Sequence, residues 1–337
     1  PIFSALVEDG YDAALLVQDY PPPHLDEDRH LYQADASAFI RATQQADIPG
    51  AVCSSLPENL DADIQAFLIA RQTAPLQGIS EAVQALAAAA TFGRQRAKHL
   101  AQPGSISLEI TGHPASTVTL DEWQGKNLLA KAGIEVPAGE LTDAEGATDA
   151  ADRLGYPVAV KLVSSDLPHK TEAGAVRLQL ESAAAVAEAV TSIQHTVQGT
   201  PVAVPARCFL VERMVSNPVA ELLVGVRNND QFGHTLTLAS GGTLVELVSD
   251  SATVLLPAAR EEIAAAVNSL RVAALIRGYR NRPAANLDRL LDTVCAVISF
   301  TSELGARLDE LDINPLIAHP DGCSAADVLL RLDENTL

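Results

Sequence analysis

Between Asp12 and about Gly93, short apolar runs alternate with stretches in which apolar residues recur every three or four positions. The runs DAALLV (12–17), GAVCSS (50–55) and APLQGI (74–79) have the length and content of buried strands. Helical spacing follows each of them, over 34–46, from Asn59 and from Ser80. This βαβαβα order predicts a parallel sheet covered by helices. Three strands make a thin sheet with exposed edges, and the first starts within a few residues of Pro1. The pattern therefore predicts a further N-terminal portion of the same domain.

Past Leu100 the periodicity breaks in QPGSISLEITGHPAST, whose Gly, Pro and Ser content reads as a linker over 100–119. A different pattern follows over 120–337. It opens with a helix in LDEWQGKNLLAKAG, where Asp121 and Glu122 suit the positive end and Gly133 the stop, and a second helix spans 143–154. PVAVKLV is a β-branched strand carrying Lys161. Beyond it the spacing predicts a helix over 182–197, strands over 207–212, 220–226 and 235–238, helices over 259–269 and 287–304, and a last strand pair about Leu311 and Ala326. Antiparallel strands beside helices predict an α+β layer architecture. The expected organisation is thus an α/β portion over 1–99 and an α+β domain over 120–337.

A chain of 337 residues suits two domains. Its formal net charge of −20 repels both a phosphate backbone and an anionic bilayer, which argues against nucleic acid and membrane partners. Any phosphate-bearing ligand must then be held by a local cluster of donors. The four cysteines, Cys53, Cys208, Cys295 and Cys323, lack zinc spacing and read as reduced core thiols. The sequence has no 18-residue uncharged apolar run and no basic leader, so the expected location is the cytoplasm.

The densest chemistry lies in the run from Ser164 to Gly174, which contains His169, Lys170 and Glu172. A loop of this composition offers backbone donors, a nucleophilic imidazole and a cation together, although the same residues also make an ordinary solvated turn. Lys161, on buried-strand sequence, has the reach and charge to meet phosphate oxygens. Period-2 alternation puts Asp312 and Asn314 of ELDINPL on one side of a strand, with Asp327 expected on the partner strand. Oxygen ligands on adjacent strands suit Mg²⁺. The segment IRGYRNRP, with Arg277, Tyr279, Arg280 and Arg282, is the one dense basic patch and reads as a solvated turn.

From Leu120 onward, LDEWQGKNLLAKAGIEVP, GYPVAVKLVSSDLPHKTEAGAV, ELLVGVRNNDQFG, SGGTLVE and ELDINPL occur in the order found in the ATP-grasp domain of the ADP-forming acyl-CoA synthetases. The stretch resembles that family and, more distantly, the succinyl-CoA synthetase β subunit. Residues 1–99, through ADIPGAVCSS and the helix ending near Gly93, resemble the last part of the flavodoxin-like CoA-ligase domain that precedes it in fused chains.

The resemblance implies ATP-dependent ligation of a carboxylate to coenzyme A, reversible with ADP and phosphate, through a phosphohistidine at His169 with Lys170 and Glu172 beside it. It implies that Lys126, Lys161, Glu212, Glu221, Gly241 and Gly242 hold ATP or ADP, with Glu212 at the adenine, and that Asn314 and Asp327 hold Mg²⁺. Coenzyme A would be bound mainly by a portion upstream of Pro1 or by a separate subunit, and an oligomer is compatible with this. Ala175 stands where a second glycine is usual and Val254 where arginine is frequent. These departures keep two alternatives open: a regulatory nucleotide-binding module of the kind fused to protein acetyltransferases, or a relative acting on an unusual carboxylate.

Overall fold

The computed structural model describes residues 2–8, 10–22, 28–101, 112–164, 174–197, 209–241 and 250–336. The chain divides into two compact units, Pro1–Ser105 and Ile106–Leu337.

In the first unit, helix α1 (Ile2–Val7) precedes β1 (Ala14–Val17), α2 (Arg29–Gln45), β2 (Gly50–Ser54), α3 (Ala62–Ile69), β3 (Ala74–Gln77) and α4 (Ile79–Ala101). The strands form a parallel sheet in the order β1-β2-β3, as the alternation predicts. Tyr20, Phe39, Ile40, Val52, Ile64 and Leu68 form its core. The helix expected from Asn59 begins instead at Ala62, because the Asp61 carboxylate accepts hydrogen bonds from the Asp63 and Ile64 amides and so sets the first turn. Helix α1 was not legible in six residues of sequence.

The second unit carries two sheets. One has the order β5-β8-β6-β7, from Gly139–Thr142, Phe209–Arg213, Val158–Leu162 and Val176–Leu180. Helices α6 (Ala147–Leu154) and α7 (Ala183–Val197) close a core of Val158, Val160, Leu162, Val186, Ile193 and Phe209. The other sheet has the order β11-β10-β9-β12-β14-β4, with β13 paired to β12. Its strands are β4 (Thr117–Leu120), β9 (Ala220–Asn229), β10 (Gly233–Ser240), β11 (Ser251–Leu255), β12 (Leu308–His319), β13 (Gly322–Ala325) and β14 (Val328–Asp333). Helices α5 (Glu122–Lys131), α8 (Arg260–Ser269), α9 (Ala273–Ile276) and α10 (Leu287–Leu304) belong to this part of the unit.

Two expectations are corrected. The tract read as linker up to residue 119 ends in strand β4, whose Thr117–Leu120 pairs antiparallel with β14; the Thr-Val-Thr alternation outweighs the Gly and Pro that precede it. Asp327 lies in the short connection between β13 and β14 rather than on a strand opposite Asn314. Among the described residues, no helix is long and apolar enough to cross a membrane.

Candidate functional site

Helix α5 starts with a capping box: the Asp121 carboxylate accepts from the Gln124 amide at 2.8 Å, and the Gln124 side chain accepts from the Asp121 amide at 3.2 Å. This fixes Glu122 as the first helical residue and puts Lys126 one turn later on the same face. A Cβ on Gly125 would lie 2.9 Å from Val328 Cγ1, so glycine lets the helix settle on β14. From the other sheet, β6 contributes Lys161 and the neighbouring β8 contributes Glu212, with Ala159 opposite Glu212 in register.

These four side chains form one buried cluster, with exposures of 1% for Glu122, 2% for Lys126, 7% for Lys161 and 3% for Glu212. Glu122 Oε1 lies 2.8 Å from Lys126 Nζ and 2.7 Å from Lys161 Nζ. Glu212 divides its oxygens, Oε1 to Lys126 and Oε2 to Lys161 at 2.9 Å. The Ala326 carbonyl accepts from both lysines, at 2.7 and 2.6 Å. Two cations and two anions balance, which is what burial demands. Burial pulls Lys126 below the ordinary lysine range, and the neighbouring Lys161 adds to the effect. Burial also opposes charge on Lys161, but Glu122, Glu212 and Asp327 outweigh it and raise its pKa well above the ordinary value.

The lysines are therefore core groups. Lys126 had the sequence signature of an exposed helix lysine, and Glu122 that of a helix-end acid; neither reading anticipates that they close one cluster with residues of another sheet. The signal available was the Glu122–Lys126 spacing of four.

Beside the cluster, Asp327 follows Ala326 directly, and its Oδ1 accepts from the Val328 amide. The Asn314 amide donates to the Asp327 carbonyl at 3.3 Å, so the connection carrying Asp327 lies against β12. Asn314 is exposed and sits where β12 shifts register against β9. Asp312, two residues earlier, has a buried Oδ1 with no hydrogen-bond partner. Burial first, then Glu310 and Asp327, push its pKa up to about 6 against the pull of Arg227. Among the described residues, no group of three or more His, Cys, Asp or Glu side chains is arranged to hold a metal ion. The donors are oxygen only and few, and one is orphaned. That set fits Mg²⁺, which keeps waters and shares phosphate oxygens, and not a metal needing a full protein cage.

Glu221 is exposed on β9. Gly241 packs against its backbone: the Gly241 amide donates to the Glu221 carbonyl, and a Cβ there would lie 2.6 Å from the Glu221 carbonyl carbon. Only glycine permits this approach. His169, Lys170, Glu172 and Gly242 lie outside the described residues.

Ala175 is wholly buried in the core of the four-stranded sheet, and its carbonyl accepts from the Leu162 amide. Val254 pairs with Leu236 and packs on the core of the larger sheet. Neither side chain belongs to the four-charge cluster. Arg277, Tyr279, Arg280 and Arg282 are exposed, as a solvated turn requires. Cys53 and Cys323 are buried free thiols, and Cys295 is a half-buried one; burial and Glu135 push Cys323 up to about 12.

A family model described as an ATP-grasp domain matches residues 114–332, the span that holds the whole cluster. The chain belongs to the ATP-grasp family. The relatives it matches include ADP-forming acetate–CoA ligases and a succinate–CoA ligase β subunit.

The chain is 29% identical over 243 residues to trans-feruloyl-CoA synthase of an unknown prokaryotic organism, a match covering 70% of this chain and 34% of that protein. It is 27% identical over 215 residues to the β subunit of ADP-forming acetate–CoA ligase I of Pyrococcus furiosus, covering 63% of this chain and 91% of the subunit. Among solved structures, it resembles the dinucleotide-forming acetyl-coenzyme A synthetase 1 of Ca. Korarchaeum cryptofilum in complex with coenzyme A and Ca-AMPCP. That match has 26% identity and a TM-score of 0.59, covering 64% of this chain and 93% of the other. A second structure of that protein, with coenzyme A and Mg-AMPPCP, has its phosphohistidine segment pointing towards the nucleotide binding site; the TM-score is 0.54. The ATP-grasp match therefore spans about a third of the single-chain synthase and most of the β subunit.

Proposed function

We propose that this chain is the nucleotide-binding part of an ADP-forming acyl-CoA synthetase, which interconverts acyl-CoA, ADP and phosphate with carboxylate, CoA and ATP through a phosphohistidine. The observation that carries the reading is the pair of buried, charge-balanced lysines, Lys126 and Lys161, gathered beside Asp327. In an ATP-grasp chain of net charge −20, these two ammonium groups are the local donors that a triphosphate needs.

In this reading Lys126 and Lys161 meet the phosphates, and Glu212 and Glu221 face the nucleotide. Gly241 and Gly242 bring backbone close to it. Asn314 and Asp327 hold Mg²⁺, which when bound offsets phosphate charge. His169 is the acceptor: its ring nitrogen forms a bond to the γ-phosphorus as the bond to the ADP oxygen breaks, and ADP leaves. Lys170 and Glu172, its neighbours in the sequence, are the further catalytic candidates. Residues 1–99 are read as the end of a CoA-ligase domain, and coenzyme A and the acyl group are handled mainly by a further segment or subunit.

The burial of Ala175 and the packing of the half-buried Val254 on the larger core take weight from the alternative of a purely regulatory module, because both departures lie in packing positions. The deciding experiment is isotope exchange between ADP and ATP in the presence of Mg²⁺, with wild type and His169→Asn. Exchange that disappears in His169→Asn supports the reading. ATP binding without exchange in wild type, with the further segment supplied, would favour the regulatory module.

A further inference from the structure

We infer that Glu122 is the positioning residue that lets Lys126 and Lys161 stand side by side as two charged phosphate contacts; the inference rests on the nucleotide reading of those lysines given above.

A single oxygen, Glu122 Oε1, lies within 2.8 Å of both ammonium nitrogens, and the Ala326 carbonyl oxygen within 2.7 Å of both. The two ammonium groups are therefore immediate neighbours, out of water. Like charges so placed repel, and the downward pull on Lys126 from burial and from Lys161 is the expected result. Glu122 lies between them with a fully enclosed side chain, on a helix start fixed by the capping box. Its negative charge offsets the repulsion, and its rigid base gives both lysines one fixed reference point. Two cations assembled in advance cost no reorganisation when phosphate arrives.

The two glutamates meet the lysines unequally. Each ammonium has three N–H groups, and each has three oxygens within 2.9 Å: one from Glu122, one from Glu212 and the Ala326 carbonyl. Lys126 hydrogen-bonds to Glu212 and the Ala326 carbonyl, and Lys161 to Glu122 and the same carbonyl, with the remaining carboxylate an ion-pair contact in each case. Glu122 is pinned at the start of a capped helix and grips both lysines through one oxygen, whereas Glu212 divides its two oxygens between them. Glu122 is therefore the carboxylate that holds both ammonium groups from one fixed point.

The test compares Glu122→Gln in two backgrounds, with ATP affinity measured by calorimetry on the full chain. In the otherwise unmodified protein, Glu122→Gln should weaken ATP binding by about 10- to 100-fold, the scale of one charge-assisted contact. In Lys126→Met, where a single ammonium faces two carboxylates, the same substitution should strengthen ATP binding several-fold, because Glu122 is then surplus negative charge beside the phosphates. A residue that only supports the fold loses affinity in both backgrounds. The Lys126→Met, Glu122→Gln double variant is charge-balanced, so it keeps the comparison available if Glu122→Gln alone does not fold. Equal losses in both backgrounds, no change in the unmodified protein, or a double variant binding no better than Lys126→Met would overturn the role of Glu122. Failure of the unmodified chain to bind ATP would instead overturn the nucleotide reading itself.

Discussion

Lys161 and Glu122 are 39 positions apart in the chain and 2.7 Å apart in the fold. One projects from the inner strand β6 of the four-stranded sheet; the other opens the helix packed on β14 of the larger sheet. Their contact joins two separately cored layers at one charged point, so the site and the packing of the two layers depend on each other.

Mg·ATP should raise the melting temperature of the chain, because a ligand bound only by the native state stabilises it by mass action, about 2.7 kcal/mol at a hundredfold excess over Kd. Lys161→Ala should remove most of that shift. Differential scanning calorimetry checks this, and an undiminished shift in the variant would exclude Lys161 from the nucleotide site.

Lys126→Ala should destabilise the second unit by about 3–5 kcal/mol, since it leaves Glu122 and Glu212 facing one cation in a buried site. Adding Glu122→Gln should recover a large part of the loss by restoring neutrality. Urea unfolding midpoints of the single and double variants provide the measurement, and additive losses would contradict it.

Asn314→Ala and Asp327→Ala should each weaken the Mg²⁺ dependence of nucleotide binding while leaving binding without Mg²⁺ nearly intact. Calorimetry with and without Mg²⁺ separates the two. Equal losses in both conditions would mean that the substitutions disturb the fold around the β13–β14 connection.

Gly241→Ala should cost about 1–3 kcal/mol, because its Cβ would meet Glu221 backbone atoms and cannot be relieved by a side-chain rotation. Thermal melting tests the cost. A neutral outcome would show that the β9–β10 end relaxes freely.

Asp61 should give the first unit an acid-sensitive limb. Burial raises its pKa, but the hydrogen bonds from Arg29 and from the Ile64 and Asp63 amides outweigh that and hold it below 3.8. A depressed carboxylate contributes stability that is present above its unfolded value and lost as pH falls through the folded one. Asp61→Ala should therefore cost about 1 kcal/mol near neutrality and progressively less as pH falls below the ordinary carboxylate range. Urea unfolding of wild type and Asp61→Ala at neutral pH and at pH values below the ordinary carboxylate range reads this, and a pH-independent difference would refute it.

Much of this organisation is local and could be seen in the residues alone. Short apolar runs and period-3.6 patterns mark β1 to β3 and their helices, and PVAVKLV reads as a β-branched strand. Asp121 with Gln124 sets the start of α5 within four residues. Lys161 stood out because a lysine inside such a strand needs a partner. The identity of that partner was not local: Glu122 and Lys126 look like any exposed helix pair until α5 settles on β14 and Glu212 arrives from β8. The placement of Asp327 beside Ala326, and of Ala175 inside a core, likewise depended on which strands became neighbours. Sequence spacing fixes the faces of single elements, whereas the burial that makes a charge costly, and so dictates its partner, exists only once separate layers have excluded water between them.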